Sequence, residues 1–587
     1  MIMKFHLLTG LFLCILFKAT HPAGAEEPVA ASITIPAAHF NAKSTGAAEQ
    51  SAWNLSQNGQ IDCVINFPVS NAFTFIIVAR GEPVGGVWPL LRVTLDGRTL
   101  FQTGVDSPQW IPYTFNETVS AGLHEMAVAF VNDDYKPPED RNLHISDLTI
   151  TAPSADGIPV QLTEKEYRRW HEIKLKQWTQ ETEKEIERLR KGKLVVWATD
   201  TNDAPLIQAV VKITQTRHEF LFGTALCTSM FEEAEPSAEA LLYREQVKRL
   251  FNHAVTENAL KWIDMEPAQN QLNVGALDRM TDWCASNRIP LRGHCLFWGC
   301  HYPEWIQSLS NDVVEKCMET RAVAVASRYS RDIGEFDVLN EPLHCPYFSK
   351  RFGEGIVKNM FEWTRESNPM STLYVNEYNI LNEGEADAYA DFIRTQLKAG
   401  AGITGIGVQG HFSGEADPFR IRRALDALAA FERPIKVTEF DCDSTNEATR
   451  IQCLQTVYRA AFAHPAVKGI LMWGFWEKCH WRPHAALLRE DFSNTKLADA
   501  YEKLVFKDWW TRAEGQTDPV GRYEGQAFFG EYDVEISYPG FKTCRTNAFL
   551  SCKEVAAILT VQLKPGGSRD AAPQEDNPEN YNQPVGR

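Results

Sequence analysis

The sequence lacks the features that would direct a chain of this size to nucleic acids or into a membrane. Basic residues are in deficit: 59 Lys and Arg stand against 76 Asp and Glu, a net charge of −17 over 587 residues. This balance argues against a nucleic-acid partner and against an anionic membrane surface. Beyond the N-terminus the sequence contains no apolar run of membrane-spanning length. An uncharged polymer would suit the acidic surface of this protein.

The N-terminus has the pattern of a signal peptide. Lys4 supplies a positive charge, residues 7–17 are apolar but too short to span a bilayer, and Ala23-Gly24-Ala25 offers a small-x-small cleavage site. We therefore predict a signal peptide over 1–25 and a secreted or periplasmic protein. The alternative is a buried N-terminal helix.

Cysteine is present without a regular spacing. Cys14 lies in the predicted signal peptide, which leaves 12 of the 13 cysteines in the exported chain. An even number in an oxidising compartment permits disulfides. Cys227 and Cys295 lie in apolar strand-like stretches, so structural thiols are equally open. Cys544 and Cys552 could close a hairpin.

The first part of the chain, 26–152, alternates apolar and polar residues between turn signals. This pattern predicts an all-β sandwich or jelly roll. A helical linker over 153–192 follows. Within it, Thr163 and Glu166 have the spacing of a capping box, which predicts the start of a helix over 162–191.

Strand and helix signals alternate over 193–510, after a short β lead-in. Eight strands with intervening helices predict a (β/α)8 TIM barrel. The predicted strand ends are Leu226, Trp262, Trp298, Glu341, Tyr378, His411, Glu439 and Trp476. A small β-rich region, 511–563, follows the barrel. The composition of 564–587 predicts a disordered tail.

Two glutamates occupy comparable places in the predicted barrel. Glu341 follows the apolar run 336–339, and Glu439 follows the run 434–437. Each carboxylate is therefore predicted at the C-terminal end of a buried strand, where barrel active sites are built. Two such carboxylates are the minimum equipment for hydrolysing a glycosidic bond, one as acid/base and one as nucleophile.

Seven motifs lie at or near successive predicted strand ends. They read FNHAVTENALKW (251–262), LRGHCLFW (291–298), DVLNE (337–341), YVNEYN (374–379), GVQGH (407–411), VTEFD (437–441) and WGFWEKCHWR (473–482). The ordered set resembles glycoside hydrolase family 10, the retaining endo-β-1,4-xylanases. The resemblance covers about residues 193–510.

The resemblance implies a role for each matching residue. Glu439 would be the nucleophile and Glu341 the acid/base, with carboxyl groups about 5–5.5 Å apart, and neither needs a cofactor. His411 and Asp441 would hold and tune Glu439. Asn340 would bond the sugar 2-hydroxyl. The other implied sugar-binding residues are Asn258, Lys261, His294, Trp298, Tyr378, Gln409, His411, Trp473 and Trp481.

The sequence departs from the family pattern in two places. Many members have histidine after the tryptophan of the third motif, where this chain has Gly299. The acid/base is followed by Pro342-Leu343-His344. Both features look closer to the plant-like branch of the family, in which β domains also precede the barrel. They leave the shape of the sugar subsites open.

Two alternatives compete with this interpretation. Zinc can be bound by clustered cysteines and histidines, although their spacing here matches no recognised metal pattern. The residues concerned are Cys300, His301, His344, Cys345, Cys479, His480 and His484. The second alternative is a non-catalytic carbohydrate-binding or scaffold protein with an inactive barrel.

The end of the N-terminal region resembles calcium-dependent xylan-binding modules over 128–135 and 139–145. The resemblance implies calcium held by Asp133 and Asp140, because a hard cation prefers oxygen ligands. The alternative is a solvated acidic loop whose Asp and Asn residues form turns. The expected partner is xylan or a related plant polysaccharide, and the expected state is a monomer.

Overall fold

The computed structural model describes residues 31–382, 384–554 and 556–566. The predicted signal peptide, 1–25, lies outside the described residues, as does 567–587 of the predicted tail. The first tail residues are ordered, since Lys542 N–H donates to Lys564 O and Gly566 N–H donates to Gly540 O. Among the residues described, no helix combines the length and the apolar character needed to cross a bilayer.

The N-terminal domain is a sandwich of two antiparallel sheets, as predicted. One sheet has the order β3-β4-β13-β6-β9, with β1 beside β13, and the other has the order β14-β5-β10-β7-β8, with β2 beside β5. A separate hairpin joins β11 and β12. The strands are β1 Ala31–Pro36, β2 Ala42–Lys43, β3 Ala47–Glu49, β4 Ala52–Leu55, β5 Gly59–Phe67, β6 Asn71–Glu82, β7 Leu90–Leu95, β8 Arg98–Gly104, β9 Ile111–Val119, β10 Gly122–Phe130, β11 Tyr135–Lys136, β12 Glu139–Asp140, β13 Asn142–Ala152 and β14 Val160–Gln161.

The core of this sandwich is formed by the side chains that point inward at every second position of its strands. Along β6 every second residue from Phe73 is buried, because successive side chains of a strand point to opposite faces. Phe75 and Ile77 meet Val93 and Val128 from the facing sheet. The sandwich therefore has its own hydrophobic core.

Helix α1, Glu164–Arg190, connects the sandwich to the rest of the chain. The predicted capping box is present: Thr163 N–H donates to Glu166, and Glu166 N–H donates to the Thr163 hydroxyl. At the other end the Arg190 guanidinium donates to Phe462 O and His464 O of the barrel, at 2.6 and 2.9 Å. The helix is thereby attached to the barrel.

The central part of the chain is a closed parallel barrel of eight strands, as predicted. The strand order is β17-β18-β19-β21-β22-β23-β25-β26, and the β17–β26 pairing closes the ring. Two short strands, β20 and β24, extend it at the C-terminal face. The strands are β17 Leu221–Leu226, β18 His253–Thr256, β19 Leu291–Gly293, β20 Phe297–Trp298, β21 Ile333–Asn340, β22 Thr372–Glu377, β23 Gly405–Val408, β24 His411–Phe412, β25 Ile435–Cys442 and β26 Val467–Met472.

Helices surround the barrel strands and bury their apolar faces on them. They are α2 Ala238–Leu250, α3 Trp262–Met265, α4 Gly275–Ser286, α5 Asn311–Arg328, α6 Tyr347–Phe352, α7 Gly355–Ser367, α8 Ala386–Lys398, α9 Pro418–Ala429, α10 Glu447–Phe462 and α11 Lys496–Lys503. Several begin at a side-chain cap; Asp417, for example, accepts the N–H groups of Phe419 and Arg420.

Strands from both flanks of the barrel form one further β module. The lead-in strands β15 Lys191–Thr199 and β16 Val210–His218 pair with the C-terminal strands in the orders β28-β15-β31 and β27-β16-β29-β30. The C-terminal strands are β27 Arg512–Gln516, β28 Arg522–Phe528, β29 Gly530–Ser537, β30 Cys544–Leu550 and β31 Ala556–Gln562. The lead-in therefore belongs to the same sheets as the C-terminal strands.

The proposed Cys544–Cys552 bridge is wrong. Both residues are free thiols, with Cys544 half-buried in β30 and Cys552 exposed beyond its end. Cys544 begins β30 and Cys552 lies beyond its end, so the extended strand holds the two thiols apart.

The sandwich contacts the barrel through polar side chains. Arg92 forms an ion pair with Asp387 at 2.9 Å, and the Asn58 amide donates to Glu385 Oε1 at 2.6 Å. Both partners on the barrel side lie at the start of α8. The sandwich therefore meets the barrel beside the loop that follows β22.

Candidate active site

Glu341 occupies a turn directly after β21 at the C-terminal face of the barrel. Its φ is +54°, a left-handed conformation that is uncommon for a residue with a side chain. Two backbone hydrogen bonds hold the turn: Glu341 N–H donates to Asn376 O at 2.8 Å, and Cys345 N–H donates to Glu341 O at 2.7 Å. The turn thus fixes where the Glu341 side chain begins.

The Glu341 carboxyl group accepts hydrogen bonds from two neutral donors. Trp298 Nε1 lies 2.8 Å from Oε2, and Gln409 Nε2 lies 2.9 Å from Oε1. Burial raises the pKa of Glu341; the Gln409 hydrogen bond opposes this, and the nearby Glu439 charge adds to it. This environment favours the protonated acid more than water does.

Glu439 lies within β25 and is only 4% exposed. Its Oε1 accepts a hydrogen bond from Asn376 Nδ2 at 2.7 Å, and its Oε2 lies 3.4 Å from His411 Nε2. The same Asn376 amide donates to Asn340 Oδ1 at 2.8 Å and accepts from the Thr438 hydroxyl at 2.7 Å. Asn376 therefore links the residue before Glu341 to Glu439.

Asn340 leaves one hydrogen-bond donor available at the site. Its side chain is 1% exposed, and its Nδ2 has no partner among the residues that the structure describes. A buried amide donor without a partner is costly, and a ligand hydroxyl would relieve that cost. Asn340 is thus suited to donate a hydrogen bond to a ligand hydroxyl at this site.

His411 lies between Glu439 and Asp441. Its Nδ1 is 3.0 Å from Asp441 Oδ2. Burial opposes a charge on this ring, but Asp441 outweighs burial and raises the pKa of His411 to about 9. Asp441 also accepts from Trp481 Nε1 at 2.8 Å and from Arg482 at 2.9 Å. His411 is consequently an imidazolium beside Glu439 at neutral pH.

A buried ionic network supports the site from inside the barrel. Asp337 accepts a bidentate interaction from Arg292 and lies 3.0 Å from His294 Nδ1. Lys436 pairs with Glu335 at 2.6 Å in the same layer. Because each charge has an opposite partner, the network can stay buried while it fixes the His294 ring.

The remaining predicted sugar-binding residues line this end of the barrel. Lys261 Nζ donates a hydrogen bond to Asn258 Oδ1 at 2.8 Å, which holds the ammonium group in place. The ammonium lies 5.0 Å from the Trp298 ring centroid and 5.9 Å from that of Trp473. The His294 ring meets Trp473 edge-on at 4.9 Å. These five side chains therefore form one cluster.

Two predicted residues have surroundings that the sequence does not indicate. Trp481 is 53% exposed, and the Arg482 guanidinium lies over its ring at 4.2 Å. The Tyr378 ring stacks on His344 with centroids 3.9 Å apart. His344 in turn lies between two carboxylates, Glu377 at 2.9 Å and Glu385 at 3.0 Å.

Cys300 and Cys345 form a disulfide beside the site, with Cα atoms 5.3 Å apart. The bond takes both thiols out of the zinc set considered above. It also explains Gly299, because a Cβ there would lie 1.9 Å from Cys345 O. The histidine found at this position in many family members has no room in this chain.

Sequence reasoning missed several residues that hold the site together. Asn376, Thr438, Arg292 and Arg482 all belong to quoted motifs, yet they were given no role. For Arg292, Asn376 and Thr438 a polar side chain inside an apolar strand is the available signal, since such groups are buried only with partners, whereas Arg482 lies in a loop and carries no such signal.

The acidic loop of the sandwich brings two carboxylates together. Asp133 Oδ1 is buried and lacks a partner within residues 31–382 and the other described ranges. Burial raises the pKa of Asp133 to about 6, and the charge of Asp140 adds to the effect. Within the same ranges, no cluster of three or more Asp, Glu, His or Cys side chains suits a metal. The donor set is thus two carboxylates whose negative charge Arg141 opposes only in part.

Known proteins and family models are similar to both the sandwich and the barrel. A model described as a calcium-dependent, xylan-binding carbohydrate-binding module matches residues 74–164. The chain is 33% identical over 344 residues to anti-sigma-I factor RsgI6 of Acetivibrio thermocellus, covering 58% of this chain and 44% of that protein. It is 31% identical over 362 residues to endo-1,4-beta-xylanase 1 of Arabidopsis thaliana, covering 61% and 37%. The chain thus spans less than half the length of these relatives.

Among solved structures, xylanase 10B from Thermotoga petrophila RKU-1 in complex with xylobiose is 23% identical. The match covers 49% of this chain and 94% of that one, with a TM-score of 0.45. The model of glycosyl hydrolase family 10 matches residues 212–505, just over half of the chain. This protein therefore belongs to glycosyl hydrolase family 10.

Proposed function

We propose that the barrel is a retaining endo-1,4-β-xylanase that cleaves internal bonds of xylan. The observation that carries the proposal is the contrast between two neighbouring carboxyl groups. Burial and the nearby Glu439 charge raise the pKa of Glu341 and favour its protonated form, whereas Glu439 lies against the His411 imidazolium and the Asn376 amide. Two carboxyls in unlike environments are suited to the separate roles of acid and nucleophile.

In the first step, Glu439 attacks the anomeric carbon while Glu341 gives its proton to the leaving glycosidic oxygen. The His411 ring lies 3.4 Å from Glu439 Oε2 and helps to hold the attacking carboxylate in place. The free Asn340 amide donor, which has no partner in the described part of the chain, would bond the sugar 2-hydroxyl as positive charge develops on the ring.

In the second step, a water molecule hydrolyses the glycosyl ester on Glu439. The negative charge of Glu439 is absent from the ester, so one of the effects that raise the pKa of Glu341 is removed. Glu341 can then act as the base that takes the proton from water. Two inversions at the same carbon leave the product with the configuration of the substrate.

We also propose that the sandwich binds xylan with calcium at Asp133 and Asp140. The buried Asp133 oxygen and the adjacent carboxylate are donors that a hard cation prefers. Two carboxylates alone are too few ligands, so other oxygens must complete the shell. A bound calcium ion would neutralise the loop and offer a positive centre to sugar hydroxyls.

The chain is further proposed to be exported and to act as a monomer. The N-terminal pattern and the Cys300–Cys345 disulfide support export, because disulfides persist in oxidising compartments. Mass spectrometry of the mature protein tests it: the expected N-terminus is Glu26. An N-terminus that still carries residues 1–25 would contradict it.

Hydrolysis of xylan tests the main proposal. The expected result is release of reducing ends, with a rapid fall in viscosity and a mixture of oligosaccharides, as internal cleavage requires. Proton NMR of the first product should show the β anomer. Release of xylose alone would contradict internal cleavage, and no release of sugar would favour the non-catalytic alternative.

A further inference from the structure

The loop that follows Glu341 is held by a half-buried imidazole between two carboxylates. His344 Nδ1 lies 2.9 Å from Glu377 Oε1, and His344 Nε2 lies 3.0 Å from Glu385 Oε2. Burial opposes protonation of the ring, but the hydrogen bonds to Glu377 and Glu385 outweigh it and raise the pKa of His344 to about 10. His344 is thus a charged link that joins two carboxylates.

The same link touches two parts of the site. Glu377 accepts the N–H groups of Leu343 and Tyr378, each at 2.9 Å, so it anchors the Glu341 loop and the end of β22 together. The His344 ring stacks on Tyr378 with centroids 3.9 Å apart. The His344 ring is therefore one of the contacts that support the Tyr378 ring.

The second carboxylate extends this connection into the sandwich. Glu385 Oε1 accepts from Asn58 Nδ2 at 2.6 Å, and Asn58 Oδ1 accepts from Asp133 N–H at 2.8 Å. Asn58 precedes β5 of the sandwich, and Glu385 precedes α8 of the barrel. A continuous series of contacts consequently runs from the acidic loop to Tyr378.

We propose that Asn58 and Glu385 are positioning residues, through which docking of the sandwich fixes His344 beneath Tyr378 and shapes the sugar-binding surface beside Glu341. Nothing in the family match assigns a role to Asn58, which lies outside residues 74–164 and outside 212–505. This inference rests on the proposed xylan hydrolysis, because sugar binding is what it modifies.

The interface offers a matched control. Arg92 of the sandwich pairs with Asp387 at 2.9 Å, only two residues from Glu385, but neither Arg92 nor Asp387 contacts His344 in the described structure. Arg92→Ala should loosen the same interface without disturbing the contacts of His344. A difference between Asn58→Ala and Arg92→Ala therefore reports on positioning rather than on docking in general.

The test measures kcat and KM of the full chain on xylotetraose, a short soluble substrate. Asn58→Ala should raise KM roughly threefold to tenfold, the range of one hydrogen bond, with kcat changed by less than about twofold. Glu385→Gln, which keeps the shape of the side chain, should also raise KM. Arg92→Ala should leave KM unchanged.

The outcomes separate this inference from the proposed function. A wild-type chain that releases no reducing ends from xylan overturns both. An active wild type with unchanged KM in Asn58→Ala overturns the inference alone, as does an equal rise in Arg92→Ala. Thermal unfolding identifies misfolded variants. If Asn58→Ala does not fold, the isosteric Glu385→Gln decides: its KM rises if the inference holds and stays at the wild-type value if it does not.

Discussion

The active face of the barrel and the acidic loop of the sandwich both gather carboxylates, but they neutralise them differently. In the barrel, Asp441 is surrounded by His411, Trp481 and Arg482, and Glu439 by His411 and an amide. In the sandwich, Asp133 faces Asp140 instead, and the cations nearby pair with Asp134. In the barrel, side chains of the barrel itself balance the charges of the carboxylates, whereas the loop keeps a negative charge that a bound cation would balance.

Replacing the nucleophile should have the largest effect. Glu439→Ala should lower xylan hydrolysis by at least about a thousandfold, because no glycosyl-enzyme ester can form. Release of reducing ends gives the measurement. Added azide should restore turnover of an activated aryl glycoside and give an α-configured product, which shows that the variant is folded. Near-wild-type activity would remove Glu439 from the mechanism.

Replacing the acid should have a large but selective effect. Glu341→Ala should lower kcat/KM on xylan by about 10²–10⁴-fold, the usual contribution of a general acid. An aryl glycoside with a dinitrophenolate leaving group needs little protonation, so its first step should be spared. Pre-steady-state release of dinitrophenolate measures that step. Equal losses on both substrates would assign Glu341 to structure or binding.

Removing calcium should impair xylan binding by the sandwich and leave catalysis by the barrel unchanged. A chelator should weaken binding of the full chain to insoluble xylan, leaving only the binding by the barrel, and should not change hydrolysis of xylotetraose, because the barrel carboxylates need no metal. Depletion of protein from solution by xylan, measured with an inactive Glu439→Ala chain, reports binding.

Asp133→Asn should reproduce the chelator effect, because it removes one of the two proposed carboxylate ligands. Asp156→Asn, which removes an exposed charge outside the acidic loop, should not. Binding that neither the chelator nor Asp133→Asn weakens would contradict the calcium site.

A change in pH dependence should be the smallest effect. Asp441 raises the pKa of His411, so Asp441→Asn should lower it from about 9. The imidazolium beside Glu439 would then be lost at a lower pH, and the alkaline limb of kcat/KM should move to lower pH. Asp443→Asn removes an exposed charge two residues away and should leave the profile in place. An unchanged profile in Asp441→Asn would mean that His411 does not tune Glu439.

Local patterns made much of this structure predictable. Alternation from Phe73 onward gave the sandwich strand, and Thr163 with Glu166 gave the start of α1. Glu341 and Glu439 are predictable because each follows an apolar strand run and so lies at the C-terminal end of a barrel strand, where active sites are built. The alternation of eight strand signals with helix signals predicts the barrel, which the structure confirms.

What the sequence left open depends on contacts between distant residues. The second strand ends at Thr256, and Trp262, predicted as its end, begins α3. The eighth ends at Met472, before Trp476, and Gly474 has a φ of +103° in the turn that follows. The pairing of Cys300 with Cys345 joins two separate loops, which spacing cannot reveal.

The strands that flank the barrel impose an order of events during synthesis. β15 pairs in parallel with β31, and about 350 residues separate Thr199 from Ala556. At the usual 5–20 residues per second, β15 leaves the ribosome roughly 20–70 s before its last partner exists. Until then its edge and that of β16 are exposed to other chains. An incomplete chain that ends inside the barrel would therefore be prone to aggregate through these two strands.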